Sequence, residues 1–270
     1  MNFRIGGMLA GKTPFFHREA DQLFMDMLKN VGTTQSYLHK QLALLQSIAE
    51  NQTILRFLIS CSHNTYTLEH TDYAMMVSLL KQIYDQHDEM YLTFIGILAN
   101  EDALDNFGRT RQHECRQGLR AKYVMSERPW FLETMANGGN ETITLPYRDT
   151  SGSYILSITK AIKSNGEVLG VFGFDMNLRA VIKNIKTNSR FLIVASKGEI
   201  LYDSAQKVRN LFEKKYNLMM LVKPPLYKSI INNESRAAVD YFEERQTVLS
   251  FAPIINNKYY LLQLPTKNKN

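Results

Sequence analysis

Three apolar stretches joined by very short connections constrain this chain more than any other feature. Thr142 to Tyr147, Tyr154 to Ile162 and Val168 to Phe174 are separated by loops containing Asp149-Thr150-Ser151-Gly152 and Ser164-Asn165-Gly166. Asn and Gly supply the positive φ of tight hairpin turns, whereas a parallel crossover needs a dozen or more residues, so the three strands are antiparallel neighbours. Tyr91 to Leu98 adds a fourth, buried strand. It follows a helix from about Thr71 to Asp88 whose apolar face carries Met75, Met76, Leu79, Leu80 and Ile83. A polar, Gly-containing loop then runs to Tyr123. Pro129 to Ala136 reads as a short helix with Pro in its first turn, stopped by Asn137-Gly138-Gly139. Leu178 to Ile185 is a helix that closes this unit.

The chain on either side follows from the same periodicities. Residues 15–61 are helical in character, with Val31, Leu38, Leu42, Leu45 and Ala49 at steps of seven, four and three, and Gly32 marks a candidate break. That stripe fits packing on its own domain and equally a seam with a second copy. Beyond the first unit, Phe191 to Ala195 and Glu199 to Tyr202 flank the turn Ser196-Lys197-Gly198; Gln206 to Lys215 is helical in pattern. Ala237 to Phe242, Gln246 to Pro253 and Tyr259 to Leu264 are strands, the last two joined through Asn256-Asn257. The expected fold class is α+β: a long N-terminal helix over 1–70, then two antiparallel α/β modules in tandem, 71–187 and 188–266.

Composition narrows the function classes. A chain of 270 residues, 44% hydrophobic and 21% charged with mean hydropathy −0.26, is long enough for one or two compact cores. Its net charge of +6 permits nucleic-acid binding only if the basic residues collect on one face. They do not; Lys214-Lys215 and Lys267/Lys269 are short pairs among interspersed acids. Cys61 and Cys115 and the six histidines show no metal-ligand spacing, so no metal or cofactor is expected, and disulfide pairing stays open. No apolar run reaches the ~18 residues of a membrane helix, and the N-terminus lacks a signal-peptide core.

Against that background one cluster carries chemistry. A carboxylate is best held by the planar fork of an arginine, assisted by single donors such as an indole N–H or a phenol. Arg128 and Trp130 flank Pro129 at the start of the short helix, where free backbone N–H groups also favour an anion, and Tyr123 lies five residues upstream. An ammonium wants a carboxylate and oxygen acceptors, with an aromatic face tolerated. Asp175, ending the apolar run Val168 to Phe174, and Tyr147 suit that end; Asn177 is available to cap the helix that follows. Each residue alone is equally at home in a core or at a cap. Together they suit a zwitterion such as a free amino acid.

Tyr123-Val-Met-Ser-Glu-Arg128-Pro-Trp130-Phe131, Leu-Pro-Tyr147-Arg-Asp-Thr-Ser-Gly152 and Gly166-Glu-Val-Leu-Gly-Val-Phe-Gly-Phe-Asp175 resemble the membrane-distal module of double Cache sensor domains, the extracytoplasmic ligand-binding regions of bacterial chemoreceptors, sensor kinases and cyclic-dinucleotide enzymes. The resemblance is dense from about Leu92 to Ile185 and implies two PAS-like modules on a long helix. In its amino-acid-binding subclass, Tyr123, Arg128 and Trp130 would hold the ligand carboxylate, and Tyr147 and Asp175 its α-amino group. Phe131 stands where that pattern has tyrosine, which keeps the ring and removes a hydroxyl. Asp149 adds a carboxylate near the amine end and leaves amines, or another small organic ligand, open as a variant. The resemblance further implies a non-enzymatic receptor, a homodimer through the N-terminal helix, and a membrane reached only through segments that this sequence does not contain. Side-chain selectivity falls to loops the sequence does not place, such as Asn100 to Leu119.

A competing motif is Gly6-Gly-Met-Leu-Ala-Gly11-Lys12-Thr13, which satisfies the phosphate-loop pattern, with Val168 to Asp175 as the strand that would hold magnesium. Only Asn2 to Ile5 precede it, and the alternating parallel βα units that bring such a loop to its metal strand are missing from the pattern. No GxSxG, HExxH or paired Cys/His motif supports another enzyme.

Overall fold

The computed structural model describes residues 14–61, 66–119, 122–148, 154–205, 217–255 and 258–265. Asp149, the phosphate-loop motif Gly6 to Thr13, the 206–215 helix and the Asn256-Asn257 turn lie outside the described residues. The chain divides into two compact units, one of residues 38–180 and one combining 1–37 with 181–270.

The helix α1 spans Pro14–Ala49 without a break at Gly32. A glycine costs a helix interior about 1 kcal/mol, but Asn30, Val31 and Thr34 beside it are buried, so packing decides. The interruption comes instead at Asn51, whose Oδ1 accepts the Thr53 N–H at 2.8 Å and caps α2, Gln52–Ser60.

In the 38–180 unit, α2 and α3 (Tyr73–Asp85) precede a sheet built from β1 (Met90–Ile97), β2 (Asp102–Asp105), β3 (Thr142–Ile143), β4 (Tyr147–Arg148), β5 (Tyr154–Ser164) and β6 (Glu167–Asn177). The order is β2-β1-β6-β5-β3, with β4 also on β5, and every pairing is antiparallel. Asn165 and Gly166, at φ 50° and 85°, make the turn between β5 and β6. The expected single strand Thr142 to Tyr147 is two short strands, β3 and β4.

Strand β2 falls where the sequence reads as loop. Its polar residues are satisfied in place: the Asp102 carboxylate accepts from Thr67 Oγ1 and the Ala103 and Gln112 N–H groups, at 2.6–2.9 Å. Carboxylates used this way lose the penalty that normally keeps aspartate out of a buried strand. Helix α4 (Arg111–Arg116), capped by the Thr110 hydroxyl, was likewise unexpected; α5 (Pro129–Ala136) matches its expected bounds.

The two faces of this sheet are distinct. Thr93 donates its hydroxyl to the Leu80 carbonyl of α3, and Leu58 of α2 packs at Gly170, which faces the same way as Ile97 opposite it. On the other face lie Leu92, Phe94 and Gly96 of β1 with their register partners Asp175, Gly173 and Val171 of β6. Ser157, Thr159 and Ala161 of β5 continue that row. Helix α5 covers it, its Thr134 hydroxyl 2.6 Å from that of Thr159.

The other unit holds α6 (Leu178–Ile182) at its boundary and a five-stranded antiparallel sheet, β8-β7-β11-β10-β9, from β7 (Arg190–Ala195), β8 (Ile200–Asp203), β9 (Arg236–Phe242), β10 (Arg245–Ile255) and β11 (Tyr259–Leu264). Helix α7 (Pro224–Ile231) packs Leu226 and Ile230 onto a core that includes Leu192, Phe251 and Leu262. The first part of α1 is tied to this sheet through polar groups: Gln35 Nε2 donates to the Ile254 carbonyl at 3.1 Å, and Asn30 Oδ1 accepts the Lys186 N–H at 2.8 Å.

Cys61 and Cys115 form no disulfide. Burial first, then the negative charges of Asp102 and Asp72, pushes the Cys61 thiol up to about 11 from its ordinary 9.0. A thiol raised in the folded state contributes stability fully below about pH 9 and loses it as pH climbs through 11. Iodoacetamide at pH 8 is therefore expected to label Cys115 in the native protein and Cys61 only on unfolding. Equal native rates would overturn this reading of Cys61.

Candidate ligand-binding site

The sheet face under α5 opens into a recess of about 50 Å³ that lies wholly within the 38–180 unit. Tyr123, Arg128, Trp130, Tyr147 and Asp175, five of the residues singled out from sequence, line it together. Phe131 does not; it is buried beside the recess, edge to face with Trp130 at 6.2 Å between ring centroids.

Each wall has a local cause. The short 3-10 turn Met125–Glu127 and helix α5 meet at Arg128, whose extended backbone (φ −78°, ψ 144°) suits the residue before a proline. Arg128 and Trp130 thus leave the chain on either side of a fixed Pro129. The indole is held by Phe94, 4.9 Å away, and by the absence of a side chain at Gly96. A Cβ there would sit 2.6 Å from the indole Cη2. The guanidinium of Arg128 stands 5.6 Å from the centre of the Tyr123 ring, and among the described residues it has no carboxylate partner within salt-bridge distance.

At the other end, Asp175 is 4% exposed and accepts the Ser157 hydroxyl at 2.5 Å. Ser157 has one proton, and Asp175 receives it, so the 2.6 Å contact between Tyr147 Oη and Ser157 Oγ has Tyr147 as donor. The relay runs Tyr147 to Ser157 to Asp175. It uses the phenol's proton and leaves its oxygen able to accept from a cation. Burial first, then the charge of Asp175, pushes the Tyr147 hydroxyl up, which keeps it neutral.

Sequence reasoning pointed to the stretch Asn100 to Leu119 for side-chain selectivity but named none of the residues in the rest of the wall. Leu92, Phe94, Ala103 and Ile155 supply apolar surface, and Asp105 and Arg111 lie at the β2–α4 side. Ser157 was missed too, although the Asn165-Gly166 turn fixes the β5–β6 register that sets it opposite Asp175. The phosphate-loop alternative loses its second half, because β6 lies between antiparallel neighbours rather than in a parallel sheet.

No family model matches the chain. A stretch of 69 residues is 35% identical to the methyl-accepting chemotaxis protein McpA of Pseudomonas putida; it is 25% of this chain and only 11% of that protein's length. Solved structures match far more of it. The ligand-binding domain of the Pseudomonas aeruginosa amino acid chemoreceptor PctB, in complex with L-Arg, is 19% identical and superposes over 94% of this chain and 97% of its own with a TM-score of 0.65. The sensory domain of the Campylobacter jejuni chemoreceptor Tlp3 with isoleucine bound gives 13% identity, coverage of 95% and 98%, and a TM-score of 0.66. That of the Pseudomonas fluorescens chemoreceptor CtaA with L-alanine gives 19%, 92% and 98%, and 0.62. A long helix with two antiparallel sheets, aligned with these domains along nearly its whole length, gives this chain the α+β double Cache fold of chemoreceptor ligand-binding domains.

Proposed function

We propose that this chain is the ligand-binding sensor domain of a chemoreceptor or another transmembrane signalling protein, and that it recognises a free amino acid by its carboxylate and α-amino groups. The observation that carries the reading is the pairing of Arg128, a guanidinium with no carboxylate partner among the described residues, with the Tyr147–Ser157–Asp175 relay in one recess. Tyr123 and Trp130 would assist Arg128 at the carboxylate, while Asp175 and the Tyr147 oxygen would take the ammonium. Phe131 would support the Trp130 ring from the core. Asp149 is the residue by which an amine could substitute for an amino acid. Among the described residues that line the recess, the arginines, acids and phenols suit holding a ligand.

The likeness to McpA and to amino-acid-bound chemoreceptor domains supports an extracytoplasmic setting. Among the described residues no helix is long and apolar enough to cross a membrane. Binding would bias a pre-existing equilibrium of the domain, passed on through α1 in a homodimer. The chain itself buries Val31, Leu38, Leu45 and Ala49, so a second copy would meet the outer side of that helix, where Met25 is exposed.

A thermal-shift screen against the common amino acids, simple amines, carboxylic acids and ATP with magnesium tests this. A ligand at a hundred times its Kd adds about 2.7 kcal/mol, or several degrees at this size. An amino acid is expected to give that shift, with a dimer in sedimentation of the same sample. A shift with ATP alone would end the sensor reading, and a monomer throughout would end the dimer.

A further inference from the structure

Ala103, Leu104, Asp105 and Arg111, from a stretch that the sequence leaves without structure, line the recess beside the zwitterion-holding groups. Arg111 is 8% exposed there, and a lone guanidinium would invite an acidic ligand side chain. It is not alone. Its Nη2 donates to Asp105 Oδ2 at 3.1 Å, and its Nη1 to both oxygens of Glu114 at 3.2 Å. Arg109 Nε donates to the same Asp105 oxygen at 2.8 Å. The other oxygen, Oδ1, accepts the backbone N–H groups of Phe107 and Arg109. Two arginines and two acids sum to zero charge, and the carboxylate of Asp105 is already shared among four donors. Leu92, Phe94, Ala103 and Ile155 line the same recess, Leu92 in register with Asp175 and Ile155 with Tyr147.

Size points the same way. A cavity needs ~10–15 Å³ to hold one water, and the recess, at about 50 Å³, is only a few times that. The zwitterionic head of any amino acid, with a carboxylate, an ammonium and the carbon between them, takes up much of so small a space. A charged side chain placed here would face a guanidinium and carboxylates already paired with one another, and would lose its hydration with little compensation.

From the closed charge of Asp105, Arg109, Arg111 and Glu114, the apolar walls and the small volume, we infer that the ligand is an amino acid with a small, uncharged side chain, and that the β2–α4 cluster rejects acidic and basic ones. This rests on the amino-acid reading above.

Calorimetric titration of the chain with L-alanine, L-serine, L-leucine, L-phenylalanine, L-arginine and L-glutamate reads it directly. Alanine or serine is expected to bind at least tenfold more tightly than leucine or phenylalanine, with arginine and glutamate weaker still. Arginine, glutamate or phenylalanine binding as well as alanine would overturn the inference while leaving the amino-acid reading intact. No binding of any amino acid, with a heat signal from an amine or ATP instead, would remove both. Two variants separate the walls: Leu92→Ala is expected to raise the leucine-to-alanine affinity ratio at least tenfold, and Arg111→Met, which leaves the cluster negative, to raise the arginine-to-alanine ratio as much. If Arg111→Met does not fold, the Leu92→Ala ratio and the wild-type series still decide, and an unmoved ratio in a folded variant counts against the assignment of that wall.

Discussion

Asp175→Asn is expected to abolish most amino-acid binding while leaving the melting temperature of the free protein within a few degrees of wild type. The amide keeps the volume of the carboxylate and can still accept the Ser157 hydroxyl, so the relay from Tyr147 survives in outline. What disappears is the negative charge at a position only 4% exposed. Removing one member of a buried, hydrogen-bonded charge pair costs about 2–5 kcal/mol of binding, roughly thirtyfold to a few thousandfold in Kd. The free protein has no ligand cation to lose there, and a neutral amide is easier to bury than a carboxylate. Titration of the variant with the best wild-type ligand, beside a thermal melt of both free proteins, gives the two numbers. Binding retained within threefold would remove Asp175 from the ammonium site. Lost binding together with a melting temperature lowered by 10 °C or more would mark it as a structural residue instead.

The opposite behaviour of two carboxylates in one recess explains what the sequence could disclose. Asp175 ends a long apolar run, and the short Asn165-Gly166 turn fixes the register of that run, so its place near the end of a central strand follows from period and turn chemistry alone. The same holds for Arg128 and Trp130, whose launch points are set by Pro129 and the helix it starts. Asp105 had no such signal. Asp102, Ala103, Leu104 and Asp105 contain too few apolar residues to be read as a strand; they become one because β1 offers a free edge and because Thr67, Gln112, Arg109 and Arg111 satisfy the carboxylates from elsewhere in the chain. Thr67, 35 residues from Asp102, is invisible to a local pattern, and the partners of Asp105, though near in sequence, sit in a stretch with no apolar period to place them. Gly32 errs in the other direction: a local breaker that tertiary packing overrides, while Asn51, less conspicuous in sequence, makes the break through its side-chain cap. Thus the half of the recess proposed to grip the zwitterion was legible and the half proposed to choose the side chain was not.

Asp105→Ala is accordingly expected to cause the largest loss of stability of any single change at the site. The carboxylate is 1% exposed and gathers Arg109, Arg111 and two backbone N–H groups at 2.8–3.1 Å. Burial lowers the tendency of the Arg111 guanidinium to stay charged, yet Asp105 first and Glu114 after it more than reverse this. Truncating Asp105 withdraws the first of those supports from a cation that is itself buried. Breaking a buried pair in this way costs about 3–5 kcal/mol, and the backbone N–H groups of Phe107 and Arg109 lose their acceptor as well. Arg109 adds little to that sum, because its side chain is half exposed and its pairing is screened by water. The expected drop in melting temperature is on the order of 10 °C or more. Asp105→Asn, which keeps acceptors for the N–H groups but not the charge, should fall between the two. Chemical denaturation of the three proteins tests the order. If Asp105→Ala costs less than about 1 kcal/mol, the value of an ordinary exposed pair, then the cluster is no buried hub, and the neutral wall inferred from it loses its physical basis.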